Sequence, residues 1–153
     1  MVASRHISLW GPLLVGMAAS FLTILVHGLM LAFVISQVRR DFLSGRAGVR
    51  LWTDLMIVIG VTLLAFAGHL VEVGLWALTL YFCGEFSDFA AAYYHSAANY
   101  TTLGDSITVM STRWRLLGAM EAGVGMLMFG ISTAMIFAVV QRLLQVRFGT
   151  PDR

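Results

Sequence analysis

From Ser8 to Val38 the only ionisable side chain is that of His27. An apolar run of this length exceeds the roughly 20 residues that carry a helix across a bilayer, so the helix it predicts crosses with some tilt. Two more runs follow, Asp54 to Phe82 and Arg115 to Gln141, each with one acid well inside it, Glu72 and Glu121. The composition agrees, since 59% of residues are hydrophobic, 12% are charged and the mean hydropathy is +0.84. The fold class predicted is an all-α membrane protein with three transmembrane helices.

Arg5 and His6 ahead of the first run imitate a signal peptide. The run continues well past the usual h-region of about 7–15 residues, so a retained anchor is expected. Cys83 is the single cysteine, which excludes an intrachain disulfide. The net charge of +2 rests on ten arginines gathered at span ends rather than in one basic patch, so no nucleic-acid partner is expected. No nucleophile–base pair, phosphate loop or complete metal set stands out, and the chain does not read as an enzyme.

Those arginines orient the chain. Arg39, Arg40, Arg46 and Arg50 crowd the first loop, and Arg142, Arg147 and Arg153 follow the third span. The positive-inside rule makes both segments cytoplasmic. A multi-pass protein of the cell's inner (plasma) membrane is expected, N-terminus outside and C-terminus cytoplasmic, with Arg113 and Arg115 as a contrary signal. Asp54 suits the positive end of the second helix and offsets Arg50. Arg142, Arg147 and Arg153 can meet anionic lipid headgroups, each worth about 1 kcal/mol near the surface. No span carries an arginine ladder, so a voltage sensor of the usual kind is not expected.

Between spans two and three lies a segment too polar to cross yet too patterned for a plain loop. Ser87 reads as an N-cap with Asp88 in the first turn, and Phe89, Ala90, Tyr93, Ala97 and Tyr100 recur at helical spacing. The helix predicted over 87–99 ends at Thr101-Thr102-Leu103-Gly104-Asp105. Non-helical backbone at membrane depth survives only where protein buries it or water lines it. Carbonyls of such a peptide can replace an ion's water shell, Thr hydroxyls add oxygens, and the negative end of the preceding helix favours a cation. One chain cannot enclose such a path, so a ring of copies is implied, and four is the usual number.

The tract from roughly Phe86 to Arg142 resembles the pore domain of tetrameric potassium-type channels, in the order pore helix, filter and inner helix. Thr101-Thr102-Leu103-Gly104 resembles the start of that family's TTVGYGD filter. Trp114-Arg115-Leu116 is similar to the start of its inner helix, Gly125 to its gating-hinge glycine, and Met128-Phe129-Gly130-Ile131 keeps its later Phe-Gly pair. His69-Leu70-Val71-Glu72 followed by Trp76-Ala77 is similar to a bacterial three-span branch. The resemblance implies a homotetramer in membrane lipid with 1–50 as an extra helix and Arg-rich loop and 51–145 as pore domain. Within the latter, 52–82 would be the outer helix, 87–99 the pore helix, 101–105 the filter and 114–142 the inner helix. A short cytoplasmic tail, 146–153, would follow.

The family's Tyr-Gly-Asp ending is absent, because Asp105, Ser106 and Ile107 follow Gly104. Without a gap, Asp105 replaces Tyr and Ser106 the second Gly; alternatively Tyr-Gly is deleted and Asp105 is the terminal Asp. The ungapped reading is similar to the Thr-Val-Gly-Asp and Thr-Ile-Gly-Glu filters of weakly selective channels. Fewer carbonyl rings weaken discrimination among monovalent cations, and an Asp105 ring attracts cations. The filter is therefore expected to comprise Thr101, Thr102, Leu103, Gly104, Asp105 and Ser106, passing K+ and Na+ without any cofactor. A potassium-selective channel and a non-conducting membrane scaffold or sensor are the alternatives.

Tyr94, His95, Ala98, Asn99, Glu72 and Glu121 are the expected filter supports, with Ala98 where the family's bracing Glu would fall. Two roles fit Glu72: a gating or proton-sensing acid, and a buried carboxyl bonded to the pore helix through His95 or Tyr93. The second is what intramembrane acids commonly do. Gly125 and Gly130 fit both a gating hinge and close helix packing. His69 and Glu72 share a helix face, but levelling Val38 with Trp52 sets His27 opposite residue 63, roughly 9 Å from His69 along the axis. No metal is expected apart from permeant ions.

Overall fold

The computed structural model describes residues 9–104 and 109–149. Four helices are present among them: α1 Trp10–Leu43, α2 Leu51–Phe82, α3 Phe89–Tyr100 and α4 Arg115–Phe148. Three of these, α1, α2 and α4, are long and apolar enough to cross a membrane. The described residues contain no strand, and the all-α membrane class stands.

Hydropathy marks the bilayer, whereas backbone chemistry ends helices, and the boundaries differ accordingly. The first helix continues past Val38 through Arg39, Arg40 and Asp41. It stops where Gly45 takes φ +68, with Gly45 N–H on the Phe42 carbonyl and Arg46 N–H on the Asp41 carbonyl. These paired bonds are the Schellman arrangement, which satisfies carbonyls the helix leaves open. Helix α2 ends the same way at Gly84 (φ +78), with Gly84 N–H on Tyr81 and Glu85 N–H on Leu80. Helix α4 runs to Phe148, so the first three residues of the stretch expected as a tail are helical.

The start of the helix expected over 87–99 also needs correction. Asp88, not Ser87, caps α3: its backbone is extended and its carboxylate accepts from Ala91 N–H at 3.0 Å. The helix begins at Phe89 and includes Tyr100.

The chain divides into two compact units, and the long helices contribute to both. The first comprises Met1–Leu25 and Leu70–Leu127 and therefore contains α3 and the segment after it. Here Gly16 of α1 lies against Met120 of α4, where a Cβ would meet Sδ at 2.4 Å. The second comprises Val26–His69 and Met128–Arg153. Its core is aliphatic, with Val34, Ile57, Val61, Ala65, Met135, Val139 and Leu143 buried together.

At one end of this second unit Asp54 accepts from Gly48 N–H at 2.7 Å and pairs with Arg147 at 3.2 Å. The partner of Asp54 is thus Arg147 rather than Arg50, which leaves Arg147 less available to lipid than expected. Gly48 (φ +80) lies against Val146.

Candidate functional site

Helix α3 buries a different face from the one its spacing predicts: of Phe89, Ala90, Tyr93, Ala97 and Tyr100 only Tyr100 is buried. Ala92, His95, Ser96, Ala98 and Tyr100 are buried, and Tyr94 is 64% exposed. The buried side is hydrogen-bonded to both flanking helices. Tyr93 donates its hydroxyl to the Leu70 carbonyl at 2.9 Å, and Ser96 lies 2.9 Å from the Val73 carbonyl. Ser96 also bonds the Glu121 carboxyl of α4. One hydroxyl has one proton, so it donates to one of these oxygens and accepts only if Glu121 carries its own proton. Asn99 rests against Gly118, one turn before Glu121.

Glu72 is fully buried, and its carboxyl accepts from the Tyr100 hydroxyl. Sequence reasoning expects this acid to reach the short helix through His95 or Tyr93; Tyr100, on the same helix, is a bonded partner that it did not name. His95 packs on the Phe86 ring, centroids 5.0 Å apart. Ser96 and Tyr100 were the supports the sequence reading missed. The amphipathic pattern had already placed Tyr100 on the helix, and a buried Tyr needs a partner for its hydroxyl.

Beyond Tyr100 the chain folds onto the end of α3. Thr101 N–H bonds the Ala97 carbonyl, Thr102 N–H that of Asn99, and Gly104 N–H that of Ala98 at 3.0 Å. Thr101 Oγ1 also bonds the Ala97 carbonyl at 2.7 Å. The final carbonyls of the helix are therefore capped by the very segment read as a filter. Its backbone alternates in hand, with Thr102 at φ +61 and Gly104 at φ +74. Glycine takes that angle freely, but a β-branched residue does so only under constraint. Asp105 and Ser106 lie outside the described residues.

Thr101, Thr102, Leu103 and Gly104 are all exposed in the single chain, Leu103 at 80%. A shallow groove of about 180 Å³ runs beside them, lined by Tyr94, Ala97, Ala98, Thr101 and Leu103.

Two further contacts hold the surroundings. Gly125 of α4 touches the end of α3, where a Cβ would lie 2.2 Å from the Tyr100 carbonyl oxygen. Gly130 has open space around it. At the far end of α2, Glu85 accepts from both the backbone N–H (2.7 Å) and the hydroxyl (2.6 Å) of Ser111. That ties the residues just ahead of α4 to the end of α2. Burial and the Glu85 charge push the neighbouring Cys83 thiol up, with Arg113 opposing them.

In the second unit His27 and His69 correct the depth argument. Their ring centroids are 5.5 Å apart. The error came from levelling the helices at Val38. His27 stands sixteen residues before Leu43, and sixteen residues past Leu51 is Ala67, close to His69.

No curated protein and no solved structure matches the chain. Residues 68–142, a little under half of the chain, match the family model described as Ion channel, and the matched segment includes α3, residues 101–104 and most of α4.

Proposed function

We propose that the chain is the pore-forming subunit of a homotetrameric cation channel, weakly selective among monovalent cations. The observation that carries this reading is the exposed peptide Thr101–Gly104, pinned to the end of a helix that is itself bonded to both neighbours. So rigid a mount for so exposed a backbone suits a path that copies of the chain complete between them. Tyr94, Ala97 and Leu103 are then the natural contacts of an adjoining copy. Filter carbonyls of Thr102, Leu103 and Gly104 replace hydration around K+ or Na+, and Asp105 forms an acidic ring. The absence of Tyr-Gly after Gly104 favours weak selectivity over a potassium filter. Tyr94, His95, Ala98, Asn99, Glu72 and Glu121 support the filter, and Gly125 and Gly130 serve gating movements of α4. The arginine-rich end faces the cytoplasm of the plasma membrane, with the N-terminus outside.

Ion flux into liposomes holding the purified protein tests the reading. Similar uptake of K+ and Na+ with exclusion of a large organic cation is expected, and uptake of K+ alone would replace it with a potassium-selective channel. No flux for any ion, or a monomer in mild detergent and in lipid, would move the chain to a membrane scaffold or sensor. An Asp105→Asn channel with unaltered conductance and divalent sensitivity would remove the acidic ring.

A further inference from the structure

Near the arginine-rich end of the second unit, α1 and α2 leave between them a groove of about 400 Å³. Its walls are apolar along most of their length, with Val34 and Val38 on α1 and Ile57, Val61 and Leu64 on α2. Its mouth is not. Asp41 and Arg46 line that end, with Arg46 Nη2 2.7 Å from Asp41 Oδ1. The turn after α1 builds this pair. The Asp41 carbonyl accepts from Arg46 N–H at 3.2 Å and from the Ser44 hydroxyl at 3.1 Å, and Arg46 Nε donates to that same hydroxyl at 3.1 Å. Gly60 lies on the groove wall, with open space where a Cβ would stand.

We propose that this groove binds one phospholipid with an ethanolamine-type headgroup, its acyl chain along the apolar walls and its headgroup on Asp41 and Arg46. The groove has the length for it. Thr53 and Leu64, both on its wall, stand eleven positions apart, roughly 16 Å at a rise of about 1.5 Å per residue. One leaflet's half of a hydrocarbon core of roughly 30 Å is nearly the same. Trp52, 73% exposed beside Thr53, marks the interface, so the groove runs from headgroup level into hydrocarbon. Apolar walls at that depth hold no water, and an acyl chain is what the bilayer supplies to fill them. Charge selects the headgroup. Asp41 and Ser44 engage two nitrogens of the Arg46 guanidinium, which leaves N–H donors for a phosphate. The Asp41 carboxylate repels a purely anionic headgroup, whereas a primary ammonium beside the phosphate offsets it and donates to it. The quaternary ammonium of choline has no N–H to donate.

The test is native mass spectrometry of the full-length protein, stripped of lipid in mild detergent and then offered phosphatidylethanolamine, phosphatidylcholine or phosphatidylglycerol with the same acyl chains. About one phosphatidylethanolamine per chain is expected, retained roughly tenfold more than either other lipid, which is what one hydrogen bond to a charged group is worth. Arg46→Gln and Asp41→Asn alter an exposed pair that adds little to folding, and each is expected to lower retention roughly tenfold. Gly60→Leu sends a side chain into the open groove and improves helix propensity, so it is expected to abolish retention with the assembly state unchanged. The lipid comparison on the parent protein does not depend on any variant folding. No retained lipid, either other lipid held as well as phosphatidylethanolamine, or retention untouched in Gly60→Leu or in either charge variant would overturn the assignment. So would an altered assembly state in Gly60→Leu, which would make the groove a contact between copies of the chain.

Discussion

The hydroxyl of Tyr100, the last residue of α3, donates to the carboxyl of Glu72, about two-thirds of the way along α2. The bond lies at the point where helix gives way to Thr101–Gly104, so it fixes the position from which Thr101 departs. Both residues are fully buried, which makes the bond costly to break from one side only. Tyr100→Phe is expected to lower stability by about 1–3 kcal/mol. Glu72→Gln, whose amide oxygen still accepts, is expected to cost less than Glu72→Leu. Thermal unfolding of the detergent-solubilised assembly, read alongside cation flux, checks the order. Equal losses for Gln and Leu would show that the bond is not what matters.

Gly125→Ala places a methyl where the Tyr100 carbonyl oxygen already is, 2.2 Å away. Backbone cannot rotate aside as a side chain can. The cost is expected at or above the roughly 1–3 kcal/mol of ordinary overpacking, with loss of flux. Gly130→Ala, in open space, is expected to leave assembly intact. Gel filtration and flux on the two variants side by side decide this; similar behaviour would mean that α4 readily shifts away from Tyr100.

Asp54 and Arg147 join the start of α2 to the last turns of α4, with Asp54 largely buried. Arg147→Ala leaves that carboxylate with the Gly48 N–H, and a loss towards about 3–5 kcal/mol, the range for breaking buried pairs, is expected. Arg142→Ala, whose only described side-chain bond is an exposed one to Gln145, is expected to fall within about 0.5 kcal/mol of the parent. Urea or thermal midpoints of the two variants provide the comparison.

Cys83 follows α2 and has its thiol pushed up by burial and by Glu85. The thiolate is the reactive form, so maleimide labelling at neutral pH is expected to be slower than for a free cysteine and to rise with pH. Glu85→Gln removes a negative neighbour, lowers the thiol's pKa and is expected to speed labelling. Labelling of intact cells by a membrane-impermeant maleimide also tests the proposed outward position of this end of α2.

The spans were legible because their signal is length and apolarity, which no tertiary contact needs to supply. Their ends were less so. Arg39, Arg40 and Asp41 look like the start of a loop to a hydropathy argument, yet all three continue a helix readily, and Gly45 is what stops it. That misplaced end displaced His27 by about a turn and concealed its neighbour His69. The α3 cap slipped by one residue because Ser87 and Asp88 are both competent caps, and only geometry selects between them. Glu72 was identifiable as a buried acid in need of a partner. Its choice of Tyr100 was not, because the two are twenty-eight residues apart and three polar residues of α3 compete for that role.

At Gly125 two stretches of main chain meet with no side chain between them. Layers of side chains act in proteins as bearings, letting one helix roll or slide while rotamers take up the play. Here there is no bearing. A tilt of α4 at this point reaches the Tyr100 carbonyl, and through it the capped end of α3, with nothing interposed to absorb it. The end of α3 and the stretch of α4 beside it therefore make one mechanical part at that level, so a bend of α4 at Gly125 is passed directly to residues 101–104.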